Sequence, residues 1–322
     1  MISIVCPTLR VGGLDLLCES LARQTNTDFE LILADGIWKY RHEHIADRLA
    51  ALPFPVRHLA SGGVELSNYS RSINDAVVAA RGETVLIIPD YSHLSADCLE
   101  IHARFHDENR GQKKCLASGY KSVQLPARHP CFPGYHPNIQ DANVHLDVSP
   151  GGGDRYEQCI TLEAERYERD LKSGLLDPVM WSLFLETPSV ATIETLPVTN
   201  EHRLFDCEFS WRYCSLKNES YPVALWEEIN GLDEDLDGSH LYQDQALGYR
   251  LNDAGWEYER TRGGELIIVD PRPVFASKRV LHRMALNQHA YEWKRSHGLP
   301  VNPHRDIRAE RAARPPLEHV HV

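Results

Sequence analysis

Ser3-Ile4-Val5-Cys6-Pro7-Thr8 and, one helix later, Phe29-Glu30-Leu31-Ile32-Leu33-Ala34-Asp35-Gly36 are the stretches on which the fold turns. Each is a short apolar run closed by a polar residue and a turn former, the pattern of a strand buried on both faces. Between them Leu14, Leu17, Cys18 and Leu21 recur at helical spacing, so this part of the chain reads strand, helix, strand. The same rhythm continues outward. A helix over 42–52 is ended by Pro53, and Val56–Leu59 gives a third strand. A helix over 67–80 is capped at Arg81-Gly82, and Thr84–Ile88 gives a fourth strand. Repeated βα units predict an α/β fold: a Rossmann-like, mainly parallel central sheet with helices on both faces. Ligands of such sheets bind at the carboxyl ends of the strands.

Beyond residue 125 the pattern weakens. Pro126, Pro130, Pro133, Pro137 and Pro150, then Gly151-Gly152-Gly153, mark an irregular insertion over 126–215, with a polar helix over 156–172. Regular signals return over 216–300: a helix over 243–254, the apolar run Leu266–Val269, and a helical stretch over 279–297. The reading is therefore a ligand-binding half over 1–125, an insertion, a second half over 216–300, and a C-terminal extension and tail over 301–322.

The net charge of −12 argues against non-specific nucleic-acid binding, which needs clustered Lys and Arg. No apolar run approaches the ~20 residues that span a bilayer. The apolar start lacks a basic leader and reads as a strand, so the chain is expected to be cytoplasmic, its fold starting at the first residue. Eight cysteines contain no CxxC pair, and reduced thiols are the simplest account. His129, Cys131 and His136 lack the second ligand pair that a zinc site would need.

Three constellations carry chemistry. The first is the pair of strand ends, Pro7-Thr8 and Asp35-Gly36. The second runs Asn68-Tyr69-Ser70-Arg71-Ser72-Ile73-Asn74-Asp75, then Ala80-Arg81-Gly82-Glu83, then Pro89-Asp90-Tyr91-Ser92. The third is Asn230-Gly231-Leu232-Asp233-Glu234, followed by Tyr242-Gln243-Asp244-Gln245, Arg250-Leu251 and Ala254-Gly255. Together they resemble glycosyltransferase family 2, of the GT-A fold. That family shows a strand ending Pro-Thr, a strand ending Asp-Asp-Gly, an Ala-x-Gly-Glu turn, an Asp-x-Asp element and a Gly-Gly-Phe-Asp-Glu turn. A Glu-Asp pair then opens a helix. The acceptor-side motif is galactosyltransferase-like. The match covers about 1–100 and 216–257.

The resemblance implies an inverting transfer from a nucleotide-sugar donor, UDP-linked by default, to a glycan or small-molecule acceptor. Asp244 would be the general base. Pro7, Thr8, Asp35, Arg71, Asn74 and Asp90 would bind the donor, although Ala34 stands where the family has its first aspartate. Mn²⁺ or Mg²⁺ would sit on Asp90, Ser92 and His282, with His289 a competitor. The Asp-x-Asp element is degenerate, with one carboxylate. Residue by residue, Arg71 also fits an ion pair with Asp75 at i+4. Trp226 and Trp256 fit a core as well as a sugar platform. Other readings stay open: an inactive sugar- or nucleotide-binding module, a transferase acting on modified DNA bases, a sugar nucleotidyltransferase. A homo-oligomer is compatible with all of them.

Overall fold

The computed structural model describes residues 1–8, 13–61, 69–124, 172–173, 198–202, 214–237, 242–270 and 278–314. The first half follows the expected rhythm. Strand β1 (Ile2–Thr8) is followed by α1 (Leu14–Ala22), β2 (Phe29–Asp35), α2 (Trp38–Ala50), β3 (Val56–Ala60), α3 (Tyr69–Ala79) and β4 (Thr84–Ile87). Then come β5 (Ser92–Leu94), α4 (Cys98–Glu108), β6 (Lys114–Gln124), β7 (Val198–His202) and β8 (Glu219–Pro222). The chain continues through α5 (Val223–Ile229), a 3₁₀ turn at Glu234–Leu236, α6 (Gln243–Asp253), β9 (Glu257–Asp270), α7 (Lys278–Ser296) and α8 (Ile307–Ala312).

The strands form one sheet in the order β3-β2-β1-β4-β8-β6-β9-β5, with β7 paired to β6. Its first four strands are parallel, as the βα rhythm requires. From β4 onward it is mixed: β8 runs antiparallel to β4 and β6, and β5 antiparallel to β9, while β6 and β9 are parallel.

Alternation along the strands divides the core between the two faces. Ile4, Leu31, Leu33 and Leu86 pack with Leu14 and Leu17 of α1, Ile45 of α2 and Leu99 of α4. Val5, Ile32, Val85 and Ile87 pack with Ile73 and Val77 of α3, Trp226 of α5 and Leu247 of α6. Trp226 and Trp256 thus belong to the core. Each fully buried aliphatic side chain contributes about 1.5–3 kcal/mol, so both faces are needed to hold the strand ends in place.

Residues 301–314, assigned from sequence to the C-terminal extension and tail, are built into the fold. Ile307 is buried in the core, and Asn302 donates to the carbonyls of Asn230 and Leu232. Arg305 pairs with Glu234, Asp75 and Glu310, and Arg311 donates to the carbonyls of Val77 and Ala80 at the end of α3. The polar helix proposed over 156–172 lies almost wholly outside the described residues, as do the His129, Cys131 and His136 cluster and 315–322. Cys6, Cys18, Cys98, Cys115 and Cys214 are buried free thiols. No described helix is long and apolar enough to cross a membrane.

Candidate active site

The carboxyl ends of β1, β2 and β4 meet at one corner of the sheet. Thr8 is in register with Asp35, and its Oγ1 donates to Asp90 Oδ2 at 3.1 Å, tying β1 to the end of β4. The next residue, Tyr91, is fully buried and has φ 57, a left-handed conformation rare for a bulky side chain. Backbone strain of this kind persists where the surroundings over-determine it. Here Tyr91 O accepts from Val269 N at 2.9 Å. The tyrosine ring also fills the space beside Gly13, where an added Cβ would lie 1.5 Å from Cδ1.

Asp35 stands at the expected strand end, but its oxygens are occupied. Oδ1 accepts from Ile37 N at 2.9 Å; Oδ2 accepts from Arg41 Nε at 2.6 Å and lies 2.6 Å from His58 Nε2. The carboxylate side chain has no exposure. Burial pushes its pKa up, yet the Arg41 charge and the hydrogen bonds from His58 and Arg41 outweigh it and hold the carboxyl below its ordinary value. The carboxylate therefore organises this corner, and His58, 11% exposed at its side chain, is its route toward solvent. Asp35, which the resemblance places among the donor-binding residues, is thus engaged by Ile37, Arg41 and His58.

Asp244 lies in the first turn of α6, after Tyr242 at φ 90. Its Oδ1 accepts from Gln245 N at 2.9 Å. Burial raises its pKa to about 6; backbone N–H donors and the positive charge of Lys217 oppose that rise, and Glu219 adds to it. The phenol of Tyr69, on the first residue of α3, is raised by burial and by the combined field of Asp244, Glu219, Cys6 and Asp90. The α3 start is thus within electrostatic reach of both the α6 start and the β4 end. Glu219 itself is sealed, accepting from Ser215 N, Ser215 Oγ, Leu216 N and Tyr221 OH.

The described backbone matches solved structures. The crystal structure of S. aureus TarS, a glycosyltransferase, aligns with a TM-score of 0.51 at 14% identity over 96% of this chain. The chain shares the fold of that structure. It spans 41% of the TarS chain in that structure. TarS 1–349 in complex with UDP-GlcNAc aligns with a TM-score of 0.48 at 15% identity, over 89% of this chain and 66% of that one. TarS 1–349 in complex with UDP gives 0.46 at 14% identity, over 92% and 73%. No family model matches the chain, and no curated protein does.

Within this fold several sequence candidates hold structure. Asn74 is fully buried and its amide is consumed by the acceptor-side turn: Nδ2 donates to Leu232 O and Glu234 Oε1, and Oδ1 accepts from Leu232 N. Arg71 is 59% exposed at its side chain and lies 3.9 Å from Asp75 Oδ2, the i+4 partner. Arg250 donates to Gly231 O, and burial lowers its pKa to about 10. Asp237, raised by burial to about 6, accepts from the backbone N–H groups of Ser70 and Arg71 and so caps α3 from the other half of the chain.

A divalent cation finds one suitable side chain at the β4 end. Ser92 is buried and paired in β5, and its Oγ donates to Pro89 O at 2.5 Å inside its own turn. Asp90 is the remaining carboxylate. The side chain of His282 lies outside the described residues, and His289 is exposed on α7. Among the described residues no three His, Cys, Asp or Glu side chains gather as a metal set. Lys217, Tyr69 and Tyr120 are within electrostatic reach of Asp244; Tyr69 falls inside the stretch over 68–75, whereas Lys217 and Tyr120 belong to no motif.

Proposed function

We propose that this chain is an inverting glycosyltransferase that moves a sugar from a nucleoside-diphosphate sugar, UDP-linked by default, to a hydroxyl of a glycan or other acceptor. The observation that carries this reading is Asp244: a half-buried carboxylate at a helix start, with its pKa raised to about 6, in the same polar field as Asp90 at the β4 end. A base of that strength is ionised at neutral pH and still basic enough to take a hydroxyl proton. With Oδ1 engaged by Gln245 N, Oδ2 receives the proton. The acceptor oxygen forms its bond to the anomeric carbon as the bond to the diphosphate oxygen breaks, and the nucleoside diphosphate leaves with that electron pair. One displacement inverts the anomeric centre. Tyr69 and Thr8 line the corner where the donor would lie.

The test is donor turnover. The protein is incubated with UDP-, GDP- and dTDP-sugars and candidate acceptors, and nucleoside diphosphate release is followed for wild type and Asp244→Asn. Release that the variant loses supports the reading. A binding-only module is favoured by one observation, the saturation of Asp35 by Arg41, His58 and Ile37. Nucleotide binding without release from any donor would select it.

A further inference from the structure

We infer that His102, Ser220 and His106 form a proton-operated latch between α4 and β8, closed while the two rings hold at most one extra proton and open when both are charged. The hydrogen bonds fix where each proton of the closed latch sits. Asn218 Nδ2 donates to Gly119 O and Gly264 O, at 3.1 and 2.7 Å, so its Oδ1 is the atom turned toward α4. An amide oxygen only accepts, and the proton of the 3.2 Å contact therefore belongs to His102 Nε2. In a neutral imidazole the other nitrogen is then bare, so His102 Nδ1 accepts from the Ser220 hydroxyl at 2.7 Å. That uses the one hydrogen of the serine. Ser220 Oγ must accept from His106 Nε2, at 2.8 Å, which leaves His106 Nδ1 as the bare end of the chain.

Burial accounts for the neutrality of both rings. His102 is fully buried, which lowers its pKa to about 3; the bond to Asn218 opposes the fall and the neighbouring His106 adds to it. His106 is lowered by burial to about 4, against the opposing effects of Ser220 and Asp107. On the Asn218 side, the Cys98 thiol donates to the same Oδ1 at 3.4 Å. His106 also lines a cavity of about 390 Å³ with Asp28, Glu83, Asp107, Arg110, Lys113 and Glu228, and this is the route by which protons reach the chain. The charges facing it there are paired with one another. Arg110 lies 3.2 Å from both Glu83 and Asp107, Lys113 lies 2.5 Å from Glu228, and Asp28 lies 2.8 Å from the Met1 amino group.

A first proton, taken up at His106 Nδ1, leaves every bond in place. It can also be relayed. His106 Nε2 then passes its proton to Ser220 Oγ, Ser220 passes its own to His102 Nδ1, and the hydroxyl turns to donate back to His106 Nε2. A second proton has no such arrangement. With both rings charged, His102 Nδ1 and His106 Nε2 both donate to Ser220 Oγ, and the serine hydrogen has no ring nitrogen to go to. Two positive rings then face each other across one buried oxygen, and α4 and β8 are pushed apart. Asn218, held by this chain at φ 57, also donates its backbone N–H to Ile87 O at 2.9 Å. Opening the latch therefore unties the end of β4, from which Asp90 follows.

The experiment is NMR of the whole protein labelled with ¹⁵N-histidine, each ring assigned by correlation to its own backbone. Both rings are expected as the neutral Nε2–H tautomer at pH 7 and still neutral at pH 5, where exposed histidines are charged. On further acidification the first ring proton should appear with the sheet intact, and the second together with loss of the native Asn218 amide signal. Ser220→Ala should leave His102 fixed by Asn218 and set His106 exchanging between tautomers. Urea unfolding from pH 7 to pH 5 gives a second reading. The unfolded chain takes up two protons near about 6.5 that the folded chain refuses, so the stability is complete above that value and is lost as the pH falls toward the folded values. The two rings together should lower the folding constant by up to about a hundredfold per pH unit. His106→Gln, whose amide still donates to Ser220, should remove about tenfold per unit of that slope. A ring that titrates near 6.5 in the folded protein, an Nδ1–H tautomer at either ring at pH 7, or a folded protein with both rings charged would overturn the inference. So would a slope unchanged by His106→Gln, or a single His106 tautomer in Ser220→Ala.

Discussion

Asn74 and Leu232 exchange two hydrogen bonds across 158 residues of sequence, Asn74 Oδ1 accepting from Leu232 N at 2.7 Å and Nδ2 donating to Leu232 O at 2.9 Å. The side-chain amide behaves as a strand partner, stitching α3 to the turn that leads to Asp244. Asn302 supports the same turn from the opposite side, donating to Leu232 O and accepting from Glu234 N. Gly231 makes the stitch possible, since φ +75 and a would-be Cβ 2.4 Å from Asn74 Oδ1 both exclude a side chain.

Asn74→Ala leaves the N–H of Leu232 buried without its partner and opens a cavity, and is expected to cost about 2–4 kcal/mol. Asn74→Asp keeps the acceptor, loses both donor bonds and sets a carboxylate against Glu234, so it should be the worse of the two despite its shape. Urea denaturation of both variants checks the order. If Asp is tolerated better than Ala, the amide donor is not what holds the turn.

Catalysis should follow the ionisation of Asp244. A base must be unprotonated, so kcat is expected to rise with pH through about 6 and to level off above it. Because Lys217 lowers that pKa, Lys217→Met should move the acid limb to higher pH. Asp244→Asn should reduce kcat by about 10²–10⁴-fold and leave donor affinity near wild type. A pH profile flat from 5 to 8 would remove Asp244 from the role of base.

The Asp35, Arg41 and His58 group gives a stability prediction. Arg41→Met strands a buried carboxylate and is expected to cost about 3–5 kcal/mol. Its pH dependence has a definite sign. The folded pKa of Asp35 lies below the ordinary value, so its contribution is present above about 3.9 and is lost as pH falls through the lowered folded value. Wild type and Asp35→Asn should therefore converge in stability only in that acid window. Denaturant titrations at a series of pH values read this directly.

The strands of the first half were legible because β1, β2 and β4 are buried on both faces, and such strands appear as bare apolar runs such as Ile2–Cys6 and Phe29–Ala34. The start of α6 was legible as well, because the helical spacing over 243–254 is a local pattern. What the sequence could not show is direction and partnership. Nothing in Glu219–Pro222 announces a strand running against β4, and nothing in Asn74 tells a ligand contact from a clamp on a turn 158 residues away. Lys217 was invisible for the same reason. It lies between Leu216 and Asn218, both at left-handed φ, and no spacing rule predicts such a turn before β8.

Gly13 and Tyr91 offer a test of how the donor corner is braced. Gly13 has φ 84, and a Cβ there would meet Tyr91 Cδ1 and Cε1 at 1.5 and 1.8 Å. Gly13→Ala must therefore displace a fully buried ring, at an expected cost of about 2–4 kcal/mol from overpacking and left-handed strain combined. Tyr91 follows Asp90 directly, so the displacement should also shift the carboxylate that Thr8 holds and lower turnover. Tyr91→Ala alone leaves a cavity and is expected to cost about 3–5 kcal/mol. In the double variant the alanine methyl occupies part of that cavity and has no ring to strike. Its total cost should then fall short of the sum of the two single costs by about 1–3 kcal/mol. Strict additivity in denaturant unfolding would mean that the ring is not what requires glycine at position 13.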